Sequence, residues 1–235
     1  MDFNSINTKT ILVATNYLYN SIQEFEQCKC YKKYEEQHKL NKITPSIIGA
    51  PLTMPPEMLQ QMVPVTAYKI NEVDVSYSNI EKVLATKIEE TSKEKLVGLS
   101  NIFYEFLDSK ISDISALGIN FISQYNLGNR KLKVLNQDID KHIIDFKKNK
   151  AFQVTLLLEY DDCNATYKIR KYSGGDNTGE PRIYQIDVNM HFDMYSKNTQ
   201  EKINLTSNIL NNLEGKYYKM FNEKCNQILE MSDEV

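Results

Sequence analysis

The 235-residue chain has no tryptophan, and only 3 of its 28 basic residues are arginine, at Arg130, Arg170 and Arg182. Arginine supplies the planar fork that reads guanine and grips phosphate, so this composition argues against nucleic-acid readout. An excess of one charge is lacking too. The 31 acidic and 28 basic residues leave a net charge of -3, which gives no global attraction to a polyanion or an anionic lipid surface. Cysteine is scarce, with four in the chain and two of them, Cys28 and Cys30, almost adjacent. Such a set is no disulfide framework, and reduced thiols in a cytoplasmic protein are the expectation. No apolar run approaches the roughly 18 residues of a membrane span, and Met1-Asp2-Phe3-Asn4 lacks the basic start of a secretion signal, so no membrane partner is expected. Proline is rare outside one stretch: five of the six fall between Pro45 and Pro64, where they forbid long regular structure.

What is present is a globular composition, 41% hydrophobic and 25% charged. A chain of this size buries roughly 70–75% of its unfolded surface and needs no metal or disulfide for stability. Its 23 asparagines beside abundant lysine and isoleucine look like the codon bias of a low-GC microbe.

Hydrophobic periodicity gives the elements. Thr10–Leu18 is β-branched and aromatic enough for a strand, and Ile22, Phe25, Cys28 or Cys30, Tyr31 and Tyr34 space a charged helix over Ser21–Leu40. Pro56–Met62 has room for a helical turn or two, with Pro56 near its first position. Val73, Val75 and Tyr77 alternate with polar neighbours, Ser78-Asn79 makes a turn, and Val83–Ile88 completes a hairpin. Thr91-Ser92-Lys93-Glu94 reads as a capping box opening an amphipathic helix to Leu107. Ile114–Tyr125 is a further strand, and Asp138–Phe146 a short helix carrying Ile139, Ile143 and Phe146. Phe152–Tyr160 and Ala165–Ile169 form a second hairpin around Asp161–Asn164. The Gly-rich Ser173–Gly179 loop leads into a strand alternating Tyr184, Ile186, Val188, Met190, Phe192 and Met194. A last helix runs from about Lys202 to Met231, with Ile209, Leu213, Tyr217, Met220, Phe221 and Ile228 inward.

Strand, polar helix, hairpin and long helix thus occur twice. Ala14-Thr15-Asn16-Tyr17-Leu18 matches Gly118-Ile119-Asn120-Phe121-Ile122 in character at an offset of 104 residues. The expected fold is α+β: one composite domain over residues 1–235, with an antiparallel sheet built from similar halves, about 1–109 and 110–235, each a hairpin with a long covering helix. Neither half would bury enough surface alone.

The run Ile114–Ile122, the strand-rich middle and the closing helix with Leu213, Tyr217 and Phe221 resemble a sporadically distributed family of uncharacterised bacterial proteins of similar length. The resemblance implies the two-half architecture and carries no activity onto any residue.

The densest set of polar groups lies on the outward face of the strand through Gln185, Asp187, Asn189, His191 and Asp193. Asp187 and His191 stand about 13 Å apart along a strand, too far to share one ion directly. Only His191 with Asp193, or Asp187 with Asn189, is close enough for one site, so a metal-dependent hydrolase or nuclease using Asp187, His191 and Asp193 would need a further ligand such as Glu159 from a neighbouring strand. The ordinary reading of such a face is a solvated sheet surface. Cys28-Lys29-Cys30 with His38 has half the ligand pattern of a zinc site and lacks the second pair. The Gly174–Gly179 segment lacks the Gly-Lys-Ser/Thr ending of a phosphate loop. Lys168, Arg170 and Arg182, with Lys147, Lys148, Lys150 and interleaved Tyr167, Tyr172 and Tyr184, form a candidate ligand or nucleic-acid patch, set against core-facing tyrosines and edge-shielding cations.

No catalytic triad, metal cluster or nucleotide loop stands out, and no cofactor is expected. With 15 tyrosines and 8 methionines supplying adaptable contact surface, the expectation is a non-catalytic interaction or adaptor protein. It would bind a protein partner or itself through a sheet edge or the Pro45–Pro64 segment.

Overall fold

The computed structural model describes residues 5–16, 19–37, 40–42, 65–107, 110–128, 131–132, 153–173, 182–230 and 232–233. The expected Pro-rich segment with its Pro56–Met62 turn, the Asp138–Phe146 helix, the Gly174–Gly179 loop and Lys147, Lys148 and Lys150 lie outside them.

The first strand, β1, spans Ser5–Thr15, starting five residues before the expected Thr10. Thr8, Thr10, Leu12 and Ala14 are buried, and the residues between them are half-buried. The single helix expected over Ser21–Leu40 is two, α1 (Ile22–Glu26) and α2 (Lys29–Gln37). Ser21 caps α1 by accepting from the Glu24 amide at 3.1 Å. At the break the Cys28 sulfur accepts from the Tyr31 amide at 3.4 Å, serving α2 where an oxygen cap would usually stand. Next come β2 (Asn41–Lys42), β3 (Val65–Ile70), β4 (Val73–Ser78) and β5 (Val83–Ile88). The β4–β5 hairpin is as expected, whereas β3 was not foreseen. Its turn into β4 uses Asn71 at φ 53°, a left-handed conformation that asparagine tolerates.

Helix α3 spans Lys93–Leu107. Its capping group is Ser92, whose hydroxyl accepts from the Lys95 amide at 3.3 Å. The Thr91 hydroxyl expected in that role instead bonds Thr10 Oγ1 at 2.6 Å and the Thr8 carbonyl at 3.0 Å, pinning the helix start to β1.

The second half of the chain holds β6 (Ala116–Asn126), β7 (Lys131–Leu132), β8 (Gln153–Glu159), β9 (Asn164–Ser173) and β10 (Ile183–Asp193). The long closing helix is interrupted. Helix α4 (Thr199–Asn211) opens on an Asn198–Glu201 capping box, a π-helical turn covers Leu213–Tyr218, and α5 runs over Lys219–Glu230 before the short β11 (Ser232–Asp233). The extra residue in the π turn lets consecutive side chains both meet the sheet. Tyr217 packs edge-on to Phe192 at 5.2 Å, and Tyr218 meets Phe121 at 5.4 Å.

Nine strands form one antiparallel sheet in the order β2-β3-β4-β5-β1-β6-β10-β9-β8, with β7 and β11 paired separately. The described helices lie on one face of it. Phe25 of α1 stacks on Tyr77 at 4.9 Å and on Phe106 of α3 at 5.7 Å, while Phe221 of α5 stacks on Phe121 at 5.2 Å. The α+β antiparallel class is therefore as expected. None of the described helices is long and apolar enough to cross a membrane.

The five-residue match between Ala14–Leu18 and Gly118–Ile122 fails as an equivalence of faces. Ala14 is buried on the helix side, whereas Gly118 lies opposite Val13 on the other side of the sheet. Side chains alternate with period two, so an even offset exchanges the faces, and only an odd one preserves them.

Candidate interaction face

The face opposite the helices has no described element over it. It is built from residues that period two turns away from the core, and the strand registers align them in rows. Along one row stand Ser76, Ala85, Val13, Gly118, His191, Asn164 and Glu159, on β4, β5, β1, β6, β10, β9 and β8 respectively. The next row carries Asp74, Lys87, Ile11, Asn120, Asn189, Thr166 and Leu157. Ile11, Val13, Val83, Ala85 and Ile122 are half-buried, which makes the middle of this face apolar. Polar and charged groups enclose it. Lys9 and Lys87 both pair with Glu89, and Asp74 pairs with Lys69 at 3.7 Å. Burial alone would raise the Glu89 carboxyl, yet its hydrogen bonds from Lys87 and Lys9 outweigh that and hold it below the ordinary value.

The strand face expected to carry chemistry lies here, with Gln185, Asp187, Asn189, His191 and Asp193 all on the open side. Their hydrogen bonds describe a tied lattice. Gln124 Nε2 donates to Gln185 Oε1 at 3.1 Å, and Gln185 Nε2 donates to Asp187 Oδ1 at 2.7 Å. Arg170 Nη2 donates to Asp187 Oδ2 at 2.8 Å, so both oxygens of Asp187 are engaged. Asn189 Nδ2 donates to Asn120 Oδ1 at 2.6 Å. Asp193 Oδ1 accepts from the Tyr195 amide at 2.8 Å and so shapes its own turn. Glu159 is exposed two strands from His191, about 10 Å by the usual strand spacing. Among the described residues no three His, Cys, Asp or Glu side chains gather as ion ligands.

The basic candidates separate. Lys168 and Arg170 are exposed on β9, facing the open side, with Arg170 held by Asp187. Arg182 is buried at the foot of β10, its amide donating to the Gly128 carbonyl at 3.0 Å. Tyr167 and Tyr184 are buried on the helix side and present no ring to a ligand. Cys28 and Cys30 are half-buried beside α2, far along the chain from the buried Cys163 and Cys225, and His38 lies outside the described residues.

A cleft of about 550 Å³ opens where β1 begins and β5 ends, lined by Ser5, Asn7, Thr8, Glu89, Thr91, Ser92 and Tyr218 among others. It brings hydroxyls and carboxylates together, with Glu89 held by Lys9 and Lys87.

Sequence reasoning missed the apolar middle of the open face. The signal was present: Ile11, Leu12, Val13 and Ala14 are apolar in both phases, which marks a strand with apolar side chains on both faces. No protein-family model matches the chain, and no curated protein matches it.

Proposed function

We propose that this chain is a non-catalytic interaction module that binds a protein partner across the open face of its sheet. The observation that carries this reading is the half-buried strip of Ile11, Val13, Val83, Ala85 and Ile122 without a described helix over it. Completing the burial of such side chains contributes roughly 1 kcal/mol each, enough for several together to drive association. The surrounding charge is mixed, with Lys9, Lys87, Lys168 and Arg170 among Asp74, Glu89, Glu159, Asp187 and Asp193. A mixed rim around an apolar centre suits a protein surface better than a polyanion. The hydrolase alternative would have to detach Asp187 from both Arg170 and Gln185, and we do not favour it.

We also infer that the two halves derive from one duplicated unit in a bacterial, cytoplasmic protein. Supporting the duplication, β5-β4-β3 flank β1 in the same sense as β10-β9-β8 flank β6. Between the two central strands an offset of 105 residues, which superposes Val13 on Gly118, lays β1 on β6 with each side chain on its own face. The helix caps Ser92 and Asn198 stand at nearly that spacing. Supporting the compartment, no disulfide joins any of the four cysteines, all of which are described residues.

Cross-linking mass spectrometry of the protein with its co-purifying partner tests the binding face. Links should concentrate on Lys9, Lys87 and Lys168 of the open face. Links confined to Lys93 and Lys219, on the helix side, would overturn the reading.

A further inference from the structure

We propose that two copies of this chain associate by antiparallel pairing of their β8 strands, joining the two sheets edge to edge around a contact between the two Leu157 side chains. The inference rests on the interaction-module reading and names a second copy as one partner.

Strand β8 ends the sheet order, and among the described residues its outer edge has no neighbour. Edge strands are normally made unfit for pairing by lysine, proline, a bulge or brevity. The opposite edge, β2, is only two residues long. Strand β8 has seven residues, Gln-Val-Thr-Leu-Leu-Leu-Glu, without lysine or proline, and its register with β9 is unbroken. Leu157 on its open side is 77% exposed. Leu156 and Leu158 on the helix side are only partly covered by the core. Apolar surface is therefore left at this edge on both faces, which one added strand would cover at once.

Charge and register make β8 complementary to itself. A two-fold pairing must match like faces, so within β8 Leu157 meets the partner's Leu157, or else the partner's Thr155 or the partner's Glu159 or, at greater slip, the partner's Gln153. The first register buries the exposed leucines against each other and sets Leu156 opposite the partner's Leu158. It also places Thr155 opposite the partner's Glu159. Lys168 is the β9 neighbour of Thr155, so the partner's Glu159 lies within side-chain reach of an unlike charge, and the two Glu159 carboxylates stay apart.

Analytical ultracentrifugation of the full chain at micromolar concentration, with circular dichroism as the check on folding, tests the proposal. The wild type should sediment as a dimer, and Leu157→Lys should weaken association at least 100-fold. Glu159→Lys and Lys168→Glu should each weaken it about 10-fold, and the double variant should restore it. Leu157→Cys should give a disulfide-linked dimer under mild oxidation that the wild type does not give. A monomeric wild type overturns the proposal, whether a foreign protein or the chain's own 133–152 segment then occupies the edge, as hydrogen exchange of the β8 amides would show. A dimer indifferent to Leu157→Lys overturns it equally. The parent reading is judged separately, by loss of a foreign partner from Val13→Asp. A monomer that still loses its partner in that variant sinks the dimer alone, and a dimer whose Val13→Asp variant loses nothing sinks the open-face reading alone.

Discussion

The phenol of Tyr77 holds both backbone polar groups of Tyr19, donating to its carbonyl at 2.8 Å and accepting from its amide at 3.1 Å. Lys82 Nζ adds a second donor to that carbonyl at 2.9 Å. Tyr77 is fully buried, and burial first of all pushes its phenol above the ordinary value, which keeps it a neutral donor. One hydroxyl thereby fixes where the chain leaving β1 enters α1, and so where Phe25 stacks.

Tyr77→Phe keeps the ring and its stack and removes only that hydroxyl. Leaving the Tyr19 amide buried without this partner should cost about 1–3 kcal/mol, read as a lower urea midpoint with an unchanged slope. An unchanged midpoint would show that the amide finds another partner.

Lys202 is a buried cation used as a clamp. Its Nζ donates to the carbonyls of Ser112 at 2.7 Å and Ile114 at 2.8 Å, tying α4 to the chain that enters β6. Lys202→Met preserves the stem but not the donors, and a loss of about 1–3 kcal/mol in equilibrium unfolding is expected. Wild-type stability in that variant would count against the clamp.

Acid should weaken the β8–β9 turn. Burial raises the Asp162 carboxyl, but hydrogen bonds from Lys216 and then from Tyr217 outweigh it and hold the carboxyl below its ordinary 3.8. A group depressed in the folded state stabilises above its unfolded pKa, and that contribution disappears as pH falls through the folded value. Unfolding free energy should thus decline more steeply below about pH 4 in the wild type than in Asp162→Asn. Parallel pH curves for the two proteins would contradict this.

Thiol labelling should divide the cysteines two and two. Burial pushes the Cys163 thiol up to about 11 and the Cys225 thiol up to about 12, so neither offers thiolate near neutrality. At pH 8 a thiol reagent should modify Cys28 and Cys30 first and reach Cys163 and Cys225 only as the protein unfolds. Prompt reaction of all four would mean that the core opens readily.

The sequence made the strands of strong alternation legible. The β4–β5 and β8–β9 hairpins and β10 sit where periodicity places them, because one buried face imposes period two directly on the residues. What escaped it depends on tertiary partners. The shift of the α3 cap from Thr91 to Ser92 follows from the hydroxyl of Thr10 arriving across β1, 81 positions earlier in the chain. The π turn sets consecutive tyrosines on two separate rings of the sheet, Tyr217 on Phe192 of β10 and Tyr218 on Phe121 of β6, and those partners are brought under the helix only by the strand pairing. Of the candidate site, the polar row on β10 was legible as a face, whereas the capture of Asp187 by Arg170 and Gln185 required the register between strands. Of the apolar middle only the β1 run with Ile11 and Val13 was readable locally, whereas Val83, Ala85 and Ile122 join it through the pairing of β5 and β6 with β1.

Native mass spectrometry of the protein purified gently from the cells that make it, wild type beside Val13→Asp and Ala85→Glu, tests the central claim most directly. The account predicts a stoichiometric protein complex with the wild type and its loss from both variants, each keeping the wild-type circular dichroism spectrum. A complex that survives both substitutions, or a nucleotide or divalent ion at one per chain with no protein partner, would contradict it.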